Sequence, residues 1–216
     1  MIGIVTIKRP VLYLPQMLES IAASDISEPL GAFVGNQDWA YLPADVFECV
    51  LCLPDAVRKN HGSHVDSVAN YANAVLHANT ILEDDVLVAR DFAARLAIAV
   101  QECYRVRPSG HFLLSLTSDQ VWPQGGAVVP YPIDVYSGSM GTFVPPELQF
   151  DLFRFLIESL TTEFVSVDVA IAEYCTRRGI PLYCCARAII RHIGVQSSIS
   201  DRQVVVGCPT FEESQS

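Results

Sequence analysis

The segment Thr80-Ile81-Leu82-Glu83-Asp84-Asp85 decides how the rest of the sequence is interpreted. It begins as a short apolar run typical of a buried strand and ends in three consecutive carboxylates. Because adjacent carboxylates repel, this arrangement is costly unless a cation or hydrogen-bond donors compensate. Ligands in open α/β sheets bind beyond the carboxyl ends of the strands, and oxygen ligands there suit Mg²⁺ or Mn²⁺ bridging a diphosphate. The alternative is an acidic loop in which Asp84 or Asp85 caps a turn.

Strand-like apolar runs alternate with helical stretches along most of the chain, which predicts an α/β fold with a mainly parallel sheet flanked by helices. We expect a single domain over residues 1–206 and a polar tail over 207–216. Residues 117–136 predict a long loop or an irregular hairpin, and Asp91 is expected to cap the helix that follows it. Predicted strands cover residues 2–6, 31–34, 47–53, 80–82, 111–116, 141–144 and 182–191, and predicted helices begin near residues 15, 67, 92, 146 and 166.

The composition indicates a compact, enzyme-like body. Of the 216 residues, 50% are hydrophobic and 18% are charged, and the formal net charge is −10 at pH 7. So acidic a chain is a poor candidate for binding nucleic acid, although a local basic groove would still permit it.

The cysteines indicate a reducing compartment, since their number, 7, is odd and no secretory leader precedes them. Cys49 and Cys52 have the spacing of a zinc or redox pair. They lie in a strand-like run, however, where residues three apart point to opposite faces. The apolar runs are too short to span a bilayer, so we expect a cytoplasmic protein with no membrane partner.

Four short segments, in chain order, match the pattern of one enzyme family. Gly3 to Pro10 forms a strand with a basic turn, and Asn60 to Ala78 a glycine-containing loop with an asparagine-bearing helix. Ile81 to Val86 holds the acidic triplet, and Arg191 to Ser198 contains His-x-Gly-x-x-Ser-Ser. Together they resemble the GT-A fold glycosyltransferases, most closely the N-acetylglucosaminyltransferase IV type with its Leu-Glu-Asp-Asp segment. Members of that type usually carry a membrane anchor, a stem and a further C-terminal domain, so we expect a stripped catalytic core.

The resemblance implies a donor site for a nucleotide-sugar, and a UDP-sugar is the expected donor. Thr6 and Arg9 would lie against the nucleotide, because a hydroxyl and a guanidinium at a strand end suit a ribose, base or phosphate. Asn70 is the best match to the family's helix residue, with Asn73 as the alternative. The alternative for both asparagines is that they are amides at the protein surface.

The resemblance also divides the acidic triplet between a metal and the donor. Asp85 is expected on an Mn²⁺ or Mg²⁺ ion, with His192 completing the metal shell, since an imidazole opposite a carboxylate and a diphosphate suits Mn²⁺. Glu83 is expected to reach the sugar or ribose of the donor, and Asp84 to lie in the donor site. For His192 the alternative is a histidine that simply packs after a strand.

An inverting sugar transfer needs a carboxylate that takes the proton of the acceptor hydroxyl. Many inverting GT-A enzymes carry it at the start of the helix after the acceptor loop, which here is Asp168, with Glu163 as the second candidate. Asp168 also fits a plain helix start, since a carboxylate in the first turn interacts favourably with the helix dipole by ~0.3–1 kcal/mol. Trp122, Tyr131 and Tyr136 are candidates either for stacking on the acceptor or for packing within their loop.

The sequence therefore predicts a metal-dependent glycosyltransferase that moves a sugar from a nucleotide-sugar to an acceptor hydroxyl, with inversion. The acceptor is a glycan or another hydroxyl compound. Hydroxymethylated bases in phage-type DNA are the alternative, and the net acidity of the chain disfavours them. Two rival functions are a non-catalytic module that binds nucleotide-sugars and a nucleotidyltransferase. The latter is disfavoured because no glycine-rich, lysine-bearing phosphate loop follows the first strand.

Overall fold

Ten strands form two sheets in the computed structural model, which describes residues 1–7, 11–35, 39–43, 45–53, 63–117, 126–136, 139–160, 166–194 and 210–211. The larger sheet has eight strands and the smaller has two. In chain order the strands are β1 (Ile2–Thr6), β2 (Leu30–Val34), β3 (Cys49–Cys52), β4 (Thr80–Glu83), β5 (Val86–Val88), β6 (Leu113–Ser115), β7 (Val128–Pro130), β8 (Gly141–Phe143), β9 (Leu182–Cys185) and β10 (Ile190–His192).

The larger sheet has the strand order β3-β2-β1-β4-β8-β6-β9-β7. β1 pairs in parallel with both β2 and β4, β2 with β3, and β6 with β9. β8 runs antiparallel between β4 and β6, and β7 runs antiparallel along β9. All strands of this sheet except β7 and β8 therefore run in one direction, which confirms the prediction of a mainly parallel sheet. As a result, β1, β2 and β4 end at the same edge.

In the part of the chain that the structure describes, five helices cover the two faces of this sheet. They are α1 (Leu14–Ala22), α2 (Ser63–His77), α3 (Phe92–Val106), α4 (Pro146–Ser159) and α5 (Val167–Arg178). Successive residues of a strand point to opposite faces, so Leu82 packs among residues of α1 and α3, whereas Ile81 packs among residues of α2, α4 and α5. Both faces are buried, as a parallel sheet requires, and the predicted single α/β domain is confirmed. None of these described helices has the length and apolar character to cross a membrane.

The strand predicted over residues 182–191 is divided between the two sheets. β9 belongs to the larger sheet, whereas β10 pairs antiparallel with β5. Between them, the amide of Ile189 donates to the carbonyl of Leu116 (3.0 Å), and the amide of Ala89 donates to the carbonyl of Ile189 (2.9 Å). The chain thus leaves the large sheet at this point, and His192 comes to lie opposite Val86, just after the acidic triplet.

The segment predicted as a long loop or an irregular hairpin, residues 117–136, contains regular structure within residues 126–136. β7 forms an edge of the large sheet, and a 3-10 turn follows over Ile133–Val135. β7 includes Pro130, which an edge strand tolerates because one side of its backbone needs no partner strand. A strand of three residues ending in proline is too short for apolar alternation to predict.

The start of α3 is capped by a residue that is distant in sequence. Asp91 occupies the N-cap position, but its side chain makes no capping hydrogen bond, so the prediction that Asp91 caps this helix is wrong. Instead, the carboxylate of Asp25 accepts hydrogen bonds from the amides of Ala93 (2.7 Å) and Ala94 (3.0 Å). Amides in the first turn have no partner within their own helix, so Asp25 supplies what Asp91 does not.

Two residues of the C-terminal segment contact the domain. The amide of Ala188 donates to Oγ1 of Thr210 (3.0 Å), and the guanidinium of Arg191 lies 5.4 Å from the centre of the Phe211 ring. Phe211 therefore lies beside β10. The rest of the expected polar tail, residues 207–216, is outside the described residues, and the boundary at residue 206 stays a prediction.

Candidate active site

The three carboxylates of the acidic triplet diverge, because each has a different partner. Glu83 is the last residue of β4, and Asp84 and Asp85 form the turn that leads into β5. Separate partners reduce the mutual repulsion that the sequence implied. The contacts are Glu83 with Ser139, Asp84 with Thr6, and Asp85 with His192.

Thr6 holds Asp84 at the end of β1. Its hydroxyl donates to Oδ2 of Asp84 at 2.6 Å, and both side chains are buried. The hydroxyl of Tyr41 lies 3.0 Å from the same Thr6 oxygen. Because the one hydroxyl proton of Thr6 goes to the carboxylate, Tyr41 is the donor in that second hydrogen bond. A chain of hydrogen bonds thus runs from Tyr41 through Thr6 to Asp84, and Thr6 positions the carboxylate.

Asn70 is anchored beside the end of β2. It lies on α2, is 2% exposed, and its Nδ2 donates to the carbonyl of Phe33 at 2.7 Å. A carbonyl only accepts hydrogen bonds, which fixes the orientation of the amide. The Oδ1 atom is then a buried acceptor with no hydrogen bond among the described residues. Asn73, the alternative, is half-buried on the same helix.

Asp85 and His192 form a pair where the small sheet meets the end of β4. His192 Nε2 lies 3.3 Å from Asp85 Oδ2, and the amide of Ile193 donates to the carbonyl of Asp85 at 2.8 Å. Gly194 lines the same space. A Cβ atom on residue 194 would clash with Asp85 Oδ2 and would lie 2.8 Å from His192 Nε2. A side chain at residue 194 would therefore crowd both donor atoms, and glycine avoids this.

The described residues contain no group of three or more His, Cys, Asp or Glu side chains arranged to hold a metal. Asp85 and His192 provide two donors. A carboxylate with an imidazole suits Mn²⁺ better than Mg²⁺, and oxygen ligands from a bound molecule or from water would be needed to complete the coordination.

Asp168 lies in the first turn of α5. Ser166 caps this helix by accepting a hydrogen bond from the amide of Val169, which explains why the helix begins here. Asp168 Oδ1 accepts a hydrogen bond from the amide of Ser139 at 2.8 Å, and the hydroxyl of Ser139 donates to Glu83 Oε1 at 3.2 Å. The structure thus brings Asp168 and Glu83 to the two sides of one serine.

Burial raises the pKa of the Asp168 carboxyl above its ordinary value, and the hydrogen bonds from Ser139 act in the opposite direction. Two phenols, Tyr71 and Tyr136, lie buried nearby. Burial raises the pKa of each phenol, and the Asp168 charge adds to both increases. Asp168 therefore has the environment of a carboxylate that takes up a proton more readily than an exposed aspartate.

Tyr131 and Tyr136 are buried and pack edge to face, with ring centres 5.7 Å apart. The Tyr136 hydroxyl lies 3.4 Å from Oγ1 of Thr142. These contacts favour the packing interpretation over an exposed stacking surface for both rings. Trp122, the third aromatic candidate, lies outside the described residues.

Two of the predicted site residues, Arg9 and Glu163, lie outside the described residues, as do Ser197 and Ser198. Ser139, Tyr41 and Gly194, by contrast, contact the predicted site residues and were not predicted to do so. Gly194 belongs to the His-x-Gly pattern, so the sequence indicated that it lies near the site. No sequence pattern indicated the contacts of Tyr41 and Ser139, because these contacts depend on how distant strands pair.

No protein-family model matches the chain, and no curated protein matches it. Among solved structures, the chain is similar to a UTP-bound UGPase from Acinetobacter baumannii. The two share 10% sequence identity, the TM-score is 0.47, and the alignment covers 89% of this chain and 89% of that one. The resemblance to the N-acetylglucosaminyltransferase IV type stays a prediction.

Proposed function

We propose that this protein is a metal-dependent glycosyltransferase that moves a sugar from a nucleotide-sugar, a UDP-sugar, to an acceptor hydroxyl with inversion. One observation carries the proposal: the carboxylates at the end of β4 lie beside two different chemical groups. Asp85 pairs with His192, and Glu83 is joined to Asp168 through Ser139. An inverting transfer needs, at one strand edge, a pair of metal ligands, a carboxylate that binds the donor, and a buried base.

Asp85 and His192 would hold the Mn²⁺ or Mg²⁺ ion. A carboxylate oxygen and an imidazole nitrogen suit Mn²⁺, and the glycine at 194 leaves the space between them open. When bound, the cation would neutralise charge on the diphosphate that leaves the sugar. Asp85 and His192 approach from different elements, so their relative position is set by the pairing of β5 and β10.

The nucleotide would lie across the ends of β1 and β2. The buried Oδ1 of Asn70 is an acceptor with no hydrogen bond among the described residues, and an acceptor left in that state costs about 1–3 kcal/mol. A ligand N–H group, such as that of a uracil ring, would satisfy it. Thr6 and Asp84 form the adjoining wall, and Glu83 would accept hydrogen bonds from sugar or ribose hydroxyls. Arg9 is the candidate residue that would bind the phosphates.

Asp168 would act as the general base. As the acceptor oxygen attacks the anomeric carbon, its proton passes to the carboxylate of Asp168, and the bond from the sugar to the diphosphate breaks. The raised pKa of Asp168 suits this step, because a base whose pKa lies nearer the working pH accepts a proton more favourably. The acceptor would be a glycan or another hydroxyl compound.

A thermal-shift screen of nucleotide-sugars, with and without Mn²⁺, tests the proposal. We expect a UDP-sugar to raise the melting temperature only when the metal is present, because a cation held by Asp85 and His192 would favour binding of the negatively charged diphosphate. The Asp85→Ala variant should lose this metal-dependent increase. Stabilisation by UTP with Mn²⁺, and by no sugar conjugate, would favour the nucleotidyltransferase. Binding without transfer to any hydroxyl acceptor would favour the non-catalytic module.

A further inference from the structure

Ser139 contacts both carboxylates to which the proposed function gives separate roles. Its amide donates to Asp168 Oδ1 at 2.8 Å, and its hydroxyl donates to Glu83 Oε1 at 3.2 Å. The side chain is 5% exposed, so water competes little for either hydrogen bond. The hydroxyl is within reach of Asp168 as well, where its hydrogen bond opposes the effect of burial on the pKa of that carboxyl; having one proton, it donates to one carboxylate at a time. Ser139 therefore provides two donors to a pair of acceptor groups.

The backbone around Ser139 is fixed by the sheet. The next residue, Met140, accepts a hydrogen bond at its carbonyl from the amide of Glu83 (2.9 Å). One residue further, Gly141 begins β8 and pairs with Leu82 of β4. Ser139 is thus aligned with the end of β4 by the same ladder that carries the acidic triplet. Its position does not depend on a ligand.

We propose that Ser139 is a positioning residue: its amide holds the carboxylate of the general base Asp168, and its hydroxyl holds the donor-binding carboxylate Glu83. This assignment rests on the proposed function and names a residue which that function did not include. Ser139 touches no reacting atom. It acts by fixing the distance and direction between the group that binds the donor and the group that takes the proton.

The pKa of Asp168 can be measured to test this role. Among the described residues, Glu83 shares Ser139 with Asp168, and the phenols of Tyr71 on α2 and Tyr136 after the 3-10 turn are close enough to interact with the Asp168 charge. The phenols have raised pKa values and stay neutral between pH 4 and about 9. Removal of the Ser139 hydroxyl takes away a donor that favours the ionised form of Asp168. The pKa of Asp168 should then rise, and the acid limb of the activity profile should move to higher pH.

The kinetic test compares Ser139→Ala with Ser159→Ala. Ser159 is a matched control because it is similarly buried and its hydroxyl donates to the carbonyl of Leu156, within α4. We expect Ser139→Ala to raise the KM for the donor roughly tenfold, the effect of one hydrogen bond to a charged group, and to change kcat at high pH little. Ser139→Thr, which keeps the hydroxyl, should restore the KM. A Ser139→Ala variant with the kinetics and pH profile of Ser159→Ala would overturn the proposal.

A second measurement needs no substrate. The carboxyl carbon of Asp168, assigned by its loss in Asp168→Asn, is titrated by NMR in protein labelled with ¹³C aspartate. We expect a higher midpoint in Ser139→Ala than in the wild type, and an unchanged midpoint in Ser159→Ala. If Ser139→Ala does not fold, Ser139→Cys replaces it, since a thiol is a weak donor of similar size. An unchanged midpoint overturns the positioning role. Absence of sugar transfer by the wild type, with the midpoint shifted as expected, would reject the proposed function alone.

Discussion

At the scale of single residues, each carboxylate of the triplet is positioned by a partner that is distant in sequence. Thr6 is 78 residues from Asp84, and Ser139 is 56 residues from Glu83. Such contacts give each acidic group its own direction and its own chemical neighbours. A substitution at one member of the triplet should therefore affect one function and leave the others.

The first prediction at this scale concerns the base. Asp168→Asn keeps the shape of the side chain and an oxygen that can accept from the Ser139 amide, but it cannot take up a proton. We expect kcat for transfer to fall by about 100- to 10,000-fold with unchanged affinity for the donor. Steady-state kinetics and calorimetric titration with the donor measure the two effects. Asp91→Asn, at the start of α3, is the control, and near-normal turnover of Asp168→Asn would reassign the base.

The second prediction concerns the glycine between the metal donors. Gly194→Ala places a methyl group against Asp85 and His192, so we expect the protein to fold but to lose its Mn²⁺-dependent thermal stabilisation. Gly179→Ala is the opposite control, because Gly179 has open space around it but a left-handed φ of 63°. It should lower the stability by about 1–2 kcal/mol and keep the response to Mn²⁺. A full metal response in Gly194→Ala would exclude the metal site between these residues.

The candidate site could be predicted in part from the sequence. Glu83, Asp85 and His192 stood out because carboxylates follow a buried strand and because a His-x-Gly pattern follows another, and the structure places them at one end of β4. Their roles stay predictions. Ser139 could not be predicted, since its contacts arise from the antiparallel pairing of β8 with β4, and no local pattern shows which strands will be neighbours.

At the scale of elements, the cap of α3 joins two parts of the chain. Asp25 follows α1 and satisfies two amides of α3, so the first turn of α3 depends on the placement of α1. Sequence proximity favoured Asp91 as the cap. The side chain of Asp91 is itself exposed and lies instead 3.6 Å from the guanidinium of Arg95, an ion pair of small energetic value.

This arrangement gives a prediction for stability. Asp25→Ala should lower the free energy of unfolding by about 1 kcal/mol, the usual effect of removing an N-cap side chain. Asp91→Ala should change it by less than about 0.5 kcal/mol, as is usual for surface substitutions. Urea denaturation followed by circular dichroism measures both variants. A larger loss in Asp91→Ala than in Asp25→Ala would contradict the assigned cap.

At the scale of the whole molecule, the predicted order of strands and helices was sufficient to give the α/β class and the mainly parallel sheet. Apolar runs such as Ile2–Thr6 and Leu30–Val34 are buried on both faces, so their composition alone identifies them. The division of residues 182–192 between two sheets could not be predicted. The sequence of this run is uniformly strand-like. Its transfer from the large sheet to the small one depends on the hydrogen bonds of Ile189 with Leu116 and Ala89.

The buried base should also affect the stability of the whole fold. Burial raises the pKa of Asp168 in the folded state, so the unfolded chain gives up this proton at a lower pH. Asp168 therefore costs no stability below its unfolded pKa, and the cost grows as the pH rises through its folded pKa. We expect Asp168→Asn to be more stable than the wild type at pH 7, with the difference vanishing towards pH 3. Urea titrations across this range measure it, and equal stability at pH 7 would contradict the raised pKa.

The pairing of β5 with β10 has a consequence for how this protein changes over generations. Asp85 and His192 are brought together by a ladder of three residue pairs that is separate from the eight-stranded sheet. Adding or deleting a single codon within β10 would exchange the faces on which Arg191 and His192 lie, because side chains alternate along a strand. The large sheet would keep its own register. A lineage could thus lose the proposed metal pair in one mutational event and keep the fold, and β10 is where a descendant without metal dependence should differ first.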